Sequence, residues 1–259
     1  MALRAARERP AVTSIVVFSD LHGNTPALEA FLVALQAEDP DLVVDLGDIA
    51  SGGVDPRGTL DRLMAMPEII TVRGNHERQL LELPRERLSA SDRLALGLLG
   101  AEDRAWLRSL PVRAEVVPGV LAFHGAPDDD LCYLLETVEP GGLREATDEE
   151  VLQRLGDDAG RYAVYLCGHT HLQRTRRLPD GSLVVNPGSL GWPAYSDDLP
   201  FPHDVEAGTP HARFAVLRQE VTGWQVSQRA IEYDVEAAVA MADRNGRLDV
   251  VRALRTGRV

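Results

Sequence analysis

The sequence predicts an α/β fold. Over the first third of the chain, β-branched runs alternate with stretches of helical periodicity. Further along, apolar runs again end abruptly, and Asp, Asn or His stands at or just past their ends. No run of 18 apolar residues occurs, so no membrane-spanning helix is expected.

Residues 12–18, VTSIVVF, are a β-branched run of the kind buried on both faces of a sheet. DLHGN comes next, and then TPALEAFLVALQAE, a helical pattern with Thr25 as the expected N-cap and Pro26 at the first helical position. DLVVDLG reads as a second strand ending at Gly47-Asp48, PRGTLDRLMAM as a helix and EIITVRG as a third strand. From about 77 to 110 the pattern is helical, interrupted by Pro84. Paired strands are expected at 112–117 and 119–123 about the Pro118-Gly119 turn. A mixed helical stretch at 143–155 precedes strands at 163–167, 182–186, 212–218 and 224–232, and a helical segment runs from 234 to 255. Residues 187–211 have no periodicity and are expected to form a long loop, functional or flexible. With no linker or repeat, residues 1–259 are expected to make one domain.

Composition narrows the chemistry. All 27 basic residues are arginine, so neither a Walker A lysine nor a Schiff-base lysine is present. The net charge of −13 argues against general nucleic-acid binding, because a phosphate backbone favours a basic surface. Cys132 and Cys167 form no CxxC pair, which leaves cysteine-based zinc and dithiol sites unsupported. The stretch MALRAARERPAVTS carries no apolar run suited to a signal peptide, and the expectation is a cytoplasmic protein without membrane attachment.

The polar residues after the strands carry the functional reading. IVVFSDLH supplies Asp20 and His22, LVVDLGD supplies Asp48, and IITVRGNHE supplies Asn75 and His76. VLAFHG supplies His124, and VYLCGHTH supplies His169 and His171. Ligands of open α/β sheets bind outside the carboxyl ends of the strands. Each fragment has a plainer use: turn residues at 20–22 and 47–48, an N-cap at Asn75, a core histidine at 124. Five such coincidences at successive strand ends are improbable together, and in extended backbone His169 and His171 fall on one side.

This ordered set, with Ser19-Asp20-Leu21-His22-Gly23-Asn24 near the start and Asn186-Pro187-Gly188-Ser189 after the paired histidines, resembles the calcineurin-like metallophosphoesterase superfamily, and most closely its small bacterial phosphoesterases. The resemblance covers residues 13 to 190 and implies a four-layered α/β/β/α sandwich with a dinuclear metal site at the carboxyl ends of the strands. By position, Asp20, His22 and His171 would bind one metal, Asn75, His124 and His169 the other, and Asp48 would bridge them, with His76 as the catalytic histidine. Oxygen and imidazole ligands without thiolate suit Mn, Fe, Zn or Co. The implied reaction is metal-dependent phosphoester hydrolysis by a metal-bound hydroxide. The expected substrate is a small molecule or a phosphoprotein, a phosphodiester slightly ahead of a phosphomonoester. A non-catalytic interaction scaffold and a nuclease are the alternatives. Glu77 is expected either to orient His76 or to cap the helix after it. His203 and His211 are expected at the surface, while Trp192, Tyr195 and Phe201 would form a substrate wall or a staple for their loop.

Overall fold

The computed structural model describes residues 13–259. The expected strand start at residue 12 and nearly all of the N-terminal stretch MALRAARERPAVTS lie outside the described residues.

In chain order the first half comprises β1 (Ser14–Phe18), α1 (Thr25–Glu38), β2 (Leu42–Asp45), α2 (Pro56–Met64), β3 (Ile70–Thr71), α3 (Asn75–Glu82), α4 (Ala90–Leu98), α5 (Ala101–Ser109), β4 (Arg113–Val117) and β5 (Val120–Phe123). The second half comprises β6 (Glu136–Glu139), β7 (Gly142–Glu145), α6 (Asp148–Leu155), β8 (Val164–Leu166), β9 (Gln173–Arg177), β10 (Leu183–Pro187), β11 (Ala194–Asp197), β12 (His203–Glu206), β13 (Ala212–Glu220), β14 (Gly223–Ile231), α7 (Val235–Arg244) and α8 (Val251–Thr256). One sheet has the order β14-β13-β1-β2-β3 and the other β4-β5-β8-β10-β9. Strands β1, β2 and β3 are parallel, as are β5, β8 and β10. Within each sheet the loops that leave the parallel strands therefore emerge at one common edge.

Strand alternation builds the layers. On β1, Ile15 and Val17 point between the two sheets, where Val120, Ala122, Val164 and Leu166 meet them. Val16 and Phe18 point the other way, into a core shared with α1, α2 and the helices of 75–110. On the second sheet Leu121, Phe123, Tyr165 and Cys167 face outward onto Val151 and Leu155 of α6. Helix, sheet, sheet and helix stack as the expected four-layered α/β/β/α sandwich. Phe31 seats α1 on its sheet, with ring centroids 4.7 Å from Phe18 and 5.2 Å from Phe214. Truncating such a buried ring typically costs about 3–5 kcal/mol.

Several local expectations are corrected. The N-cap of α1 is Asn24, whose side chain accepts from Ala27 N at 3.1 Å, with Thr25 already helical. The mixed helical stretch at 143–155 is the end of the β6–β7 hairpin and then α6. Residues 187–211 are no open loop, since β11 and β12 pair there as a hairpin. The polar sequences of β9, β11 and β12 belong to edge or two-stranded elements, which bury too little to show apolar alternation.

Candidate metal centre

Each candidate ligand stands just past the end of a parallel strand, and the backbone there is under strain. Among the described residues, six non-glycine residues have positive φ, and five of them are Asp20 (56°), His22 (49°), Asp48 (58°), His169 (69°) and His171 (57°). The left-handed conformation costs a residue with a Cβ about 1–3 kcal/mol and survives only where its surroundings impose it. Here the loops are bound to one another. Asp20 N donates to Gly47 O at 3.0 Å and His22 N to Asp48 O at 2.9 Å. Gly47, itself at φ 95°, lies so close to Gly74 that a Cβ on it would overlap the Gly74 nitrogen.

Hydrogen bonds to backbone carbonyls fix the histidine tautomers. Nδ1 of His22 donates to Ser51 O at 2.5 Å, Nδ1 of His171 to Trp192 O at 2.6 Å, and Nδ1 of His124 to Leu46 O at 2.7 Å. His169 uses its other nitrogen, Nε2, toward Leu131 O at 3.2 Å. In each neutral ring the remaining nitrogen is an acceptor turned inward. The result is two clusters of facing lone pairs. In the first, His22 Nε2 and His171 Nε2 are 3.1 Å apart, with Asp20 Oδ1 3.3 Å from His171 Nε2. In the second, Asn75 Oδ1 lies 3.0 Å from both His124 Nε2 and His169 Nδ1 and 3.2 Å from Asp48 Oδ2. Turning the Asn75 amide over would aim two hydrogens at three acceptors, whereas one cation satisfies all of them.

Asp48 stands between the clusters, with Oδ2 3.2 Å from His124 Nε2 and 3.9 Å from His22 Nε2. Asp20 Oδ1 has no hydrogen-bond partner although fully buried, and it also reaches to 3.9 Å from His124 Nε2. A buried, unpartnered carboxylate oxygen among bare imidazole nitrogens is what a cation site requires. The asparagine, the two aspartates and the four histidines expected as ligands are thus brought together, and the donor set could hold metal. Burial lowers the pKa of His22 to about 4 and, with His124 close by, that of His169 to about 3, which keeps both rings neutral. His124 differs: burial lowers its pKa, but the Asp48 charge overcomes this and raises it to about 10.

His76 sits on the first turn of α3 at the rim, its side chain 23% exposed. Its backbone N donates to Asp48 Oδ1 at 2.9 Å, and its Nδ1 lies 2.7 Å from Asp92 Oδ1. Glu77 does not orient it. That buried carboxylate accepts from Asp48 N and Ile49 N, each at 2.8 Å, and from Gly74 N at 2.9 Å. It therefore caps α3 and holds the Asp48 loop against the helix. Asp92 is not legible as a site residue in the sequence: Ser89-x-x-Asp92 is a recognisable capping box, but nothing in its spacing points to His76.

The 187–211 segment buttresses the site. Trp192 packs its ring on His22 at 5.2 Å and Tyr195 on His171 at 4.7 Å, which favours a staple over an open substrate wall. Tyr195 OH lies 2.7 Å from Tyr133 OH, joining the hairpin to the segment before β6. His203 is buried, not at the surface, with Nε2 3.1 Å from the same Tyr133 hydroxyl.

In fold the chain is similar to the metallophosphoesterase of Sphaerobacter thermophilus, at 23% identity and a TM-score of 0.72 over 95% of this chain and 100% of that one. It is equally similar to a hypothetical protein of Pyrococcus horikoshii OT3, at 18% identity and a TM-score of 0.72 over 94% of this chain and 98% of that one. A UPF0301 protein of Delftia acidovorans is 34% identical over 104 residues, 40% of this chain, and the chain spans 47% of that relative's length. Residues 14–201, which contain every residue of the centre, match the model of the calcineurin-like phosphoesterase superfamily domain. The chain belongs to the calcineurin-like phosphoesterase superfamily.

Proposed function

We propose that this protein hydrolyses phosphoesters, phosphodiesters in preference to phosphomonoesters, with two divalent cations in the centre. Asp20, His22 and His171 would hold one ion and Asn75, His124 and His169 the other, with Asp48 between them. Mn, Fe, Zn or Co suits these oxygen and imidazole donors. The observation that carries the reading is the pair of inward-facing clusters of imidazole nitrogens and carboxylate and amide oxygens, in which buried Asp20 Oδ1 has no hydrogen-bond partner. When bound, such ions supply positive charge to a phosphoryl oxygen and bring the pKa of water down toward about 7.

The protein's own part is positioning and proton handling. The four carbonyls behind the histidines fix which nitrogen faces inward, and Glu77 holds the Asp48 loop in its left-handed turn. His76, at the exposed rim, would donate to the leaving oxygen or to a phosphoryl oxygen as charge develops on it. The diester preference is supported by the arginines beside the site. Arg78 of α3 is held bidentate by Asp130 at 2.6 and 2.7 Å, and Arg247, which lies over Trp192, is held by Asp249. With these cations committed, a monoanionic diester meets less unbalanced charge than a dianionic monoester. Free Cys132 and Cys167 accord with a reducing, cytoplasmic setting.

The test is metal content together with hydrolysis of bis-p-nitrophenyl phosphate, p-nitrophenyl phosphate, 2′,3′-cyclic AMP and a diadenosine polyphosphate, with Mn²⁺ and with chelator. Metal-dependent turnover strongest on the diesters supports the reading. Two bound ions without turnover on any compound would turn it toward an interaction scaffold.

A further inference from the structure

We infer that Asp92, delivered by α4, is the positioning residue of His76: it accepts a hydrogen bond from Nδ1–H, fixes the ring plane and so leaves Nε2 as the ring atom that serves the substrate. The inference rests on the phosphoesterase reading but names a residue from outside the ligand-bearing loops.

The two oxygens of Asp92 have different tasks. As the third residue of α4, Asp92 closes a capping box, and Oδ2 performs that task, accepting from Ser89 Oγ at 2.7 Å and Ser89 N at 3.2 Å. Oδ1 is not needed for the cap. It points into the site, accepting from Ser51 Oγ at 2.6 Å and facing His76 Nδ1 at 2.7 Å. The residue is 1% exposed, a costly position for a carboxylate unless every lone pair is used. Asp103 is the contrasting case. It holds the third position of α5, accepting from Gly100 N at 2.6 Å, also buried, but its carboxylate pairs with Arg57.

Ser51 ties this arrangement to the centre. Its carbonyl holds His22 Nδ1 while its hydroxyl holds Asp92, so the loop after β2 aligns a candidate ligand and the partner of His76 together. An acceptor with a negative charge at Nδ1 fixes the imidazole tautomer and ring plane, as the orienting carboxylates of other catalytic histidines do.

The experiment is ¹⁵N NMR of the histidine side chains in the zinc-loaded protein, with kinetics and metal analysis alongside, for the parent, Asp92→Ala, Asp92→Asn and Ser89→Ala. In the parent, His76 is expected to show a protonated, hydrogen-bonded Nδ1. In Asp92→Ala that signature is lost, kcat falls about 10- to 100-fold, and metal content and KM stay close to the parent values. Ser89→Ala weakens the same cap; it is expected to lower the melting temperature while the His76 signature persists, which separates capping from positioning. Should Asp92→Ala fail to fold, Asp92→Asn keeps the side chain's shape and is expected to show an altered His76 signal. An unchanged His76 signal in a folded Asp92 variant overturns the inference. A changed signal in a protein that hydrolyses none of the panel overturns the phosphoesterase reading and leaves the Asp92–His76 relationship standing.

Discussion

His22 and His171 turn their Nε2 atoms toward each other at 3.1 Å, each ring held there by a backbone carbonyl on its far side. With both Nδ1 atoms committed to those carbonyls, a cation between the Nε2 atoms should stabilise the folded chain. Saturating Mn²⁺ or Zn²⁺ at a hundred times its Kd is expected to add about 2.7 kcal/mol, roughly 5–10 °C in melting temperature. Thermal unfolding with metal and with chelator measures this, and coincident curves would count against the centre.

Asp48→Asn replaces the carboxylate that stands between the clusters, 3.2 Å from His124 and 3.9 Å from His22. Bound metal is expected to fall below two ions per chain, with hydrolysis lost alongside. Elemental analysis after gel filtration gives the stoichiometry, and two ions retained would refute a bridging Asp48.

His76→Ala removes a rim side chain whose backbone, not its ring, supports Asp48. Both metals should remain while turnover falls by about 10²–10⁴-fold, the usual share of a general acid. Full turnover in a metal-loaded variant would take His76 out of the mechanism.

Glu77→Gln places an amide where a carboxylate accepts three backbone N–H groups, so one donor must face another. A loss of about 2–3 kcal/mol is expected in urea unfolding. If Glu77 acted chiefly on His76 instead, stability would hold and only kcat would drop.

Glu136, buried beneath the second sheet beside Arg174, supplies a pH test. Burial holds its carboxyl up at about 7, against an ordinary 4.5, even with Arg174 Nε 3.2 Å away. Between those values the folded chain keeps a proton that the unfolded chain releases, so stability falls as pH rises from 4.5 to 7 and stays reduced above. Glu136→Gln is expected to stabilise the protein by about 2–3 kcal/mol at pH 8 and to have no effect at pH 4. Melting curves at the two pH values decide it, and a gain at pH 4 equal to that at pH 8 would contradict the sign.

The residues read as candidate ligands from the sequence lie together, because their placement comes from local chemistry. A buried parallel strand needs an apolar run, and the residue that ends it enters the loop at the sheet edge. Asp20, Asp48, His124 and His169 could therefore be placed just past the ends of their strands from spacing alone, while the stacking of the two sheets brings them together. Where the sequence misled or left alternatives open, the deciding contact spanned distant segments. Glu77 could orient its neighbour His76 or cap the helix after it, and it caps, reaching back 28 and 29 residues to the amides of Ile49 and Asp48 as well. His203 looked exposed because the hairpin that buries it has no apolar alternation.

By itself the sequence determined which side chains are available at the strand ends and in what order, since strand periodicity and turn chemistry act over a few residues. Only the tertiary structure decided which atoms face each other: the inward nitrogen of each histidine, the Asp92 partner of His76 and the staple formed by Trp192 and Tyr195. The physical reason is that a hydrogen bond depends on position and direction in space, and sequence spacing fixes neither once the partners lie on different elements.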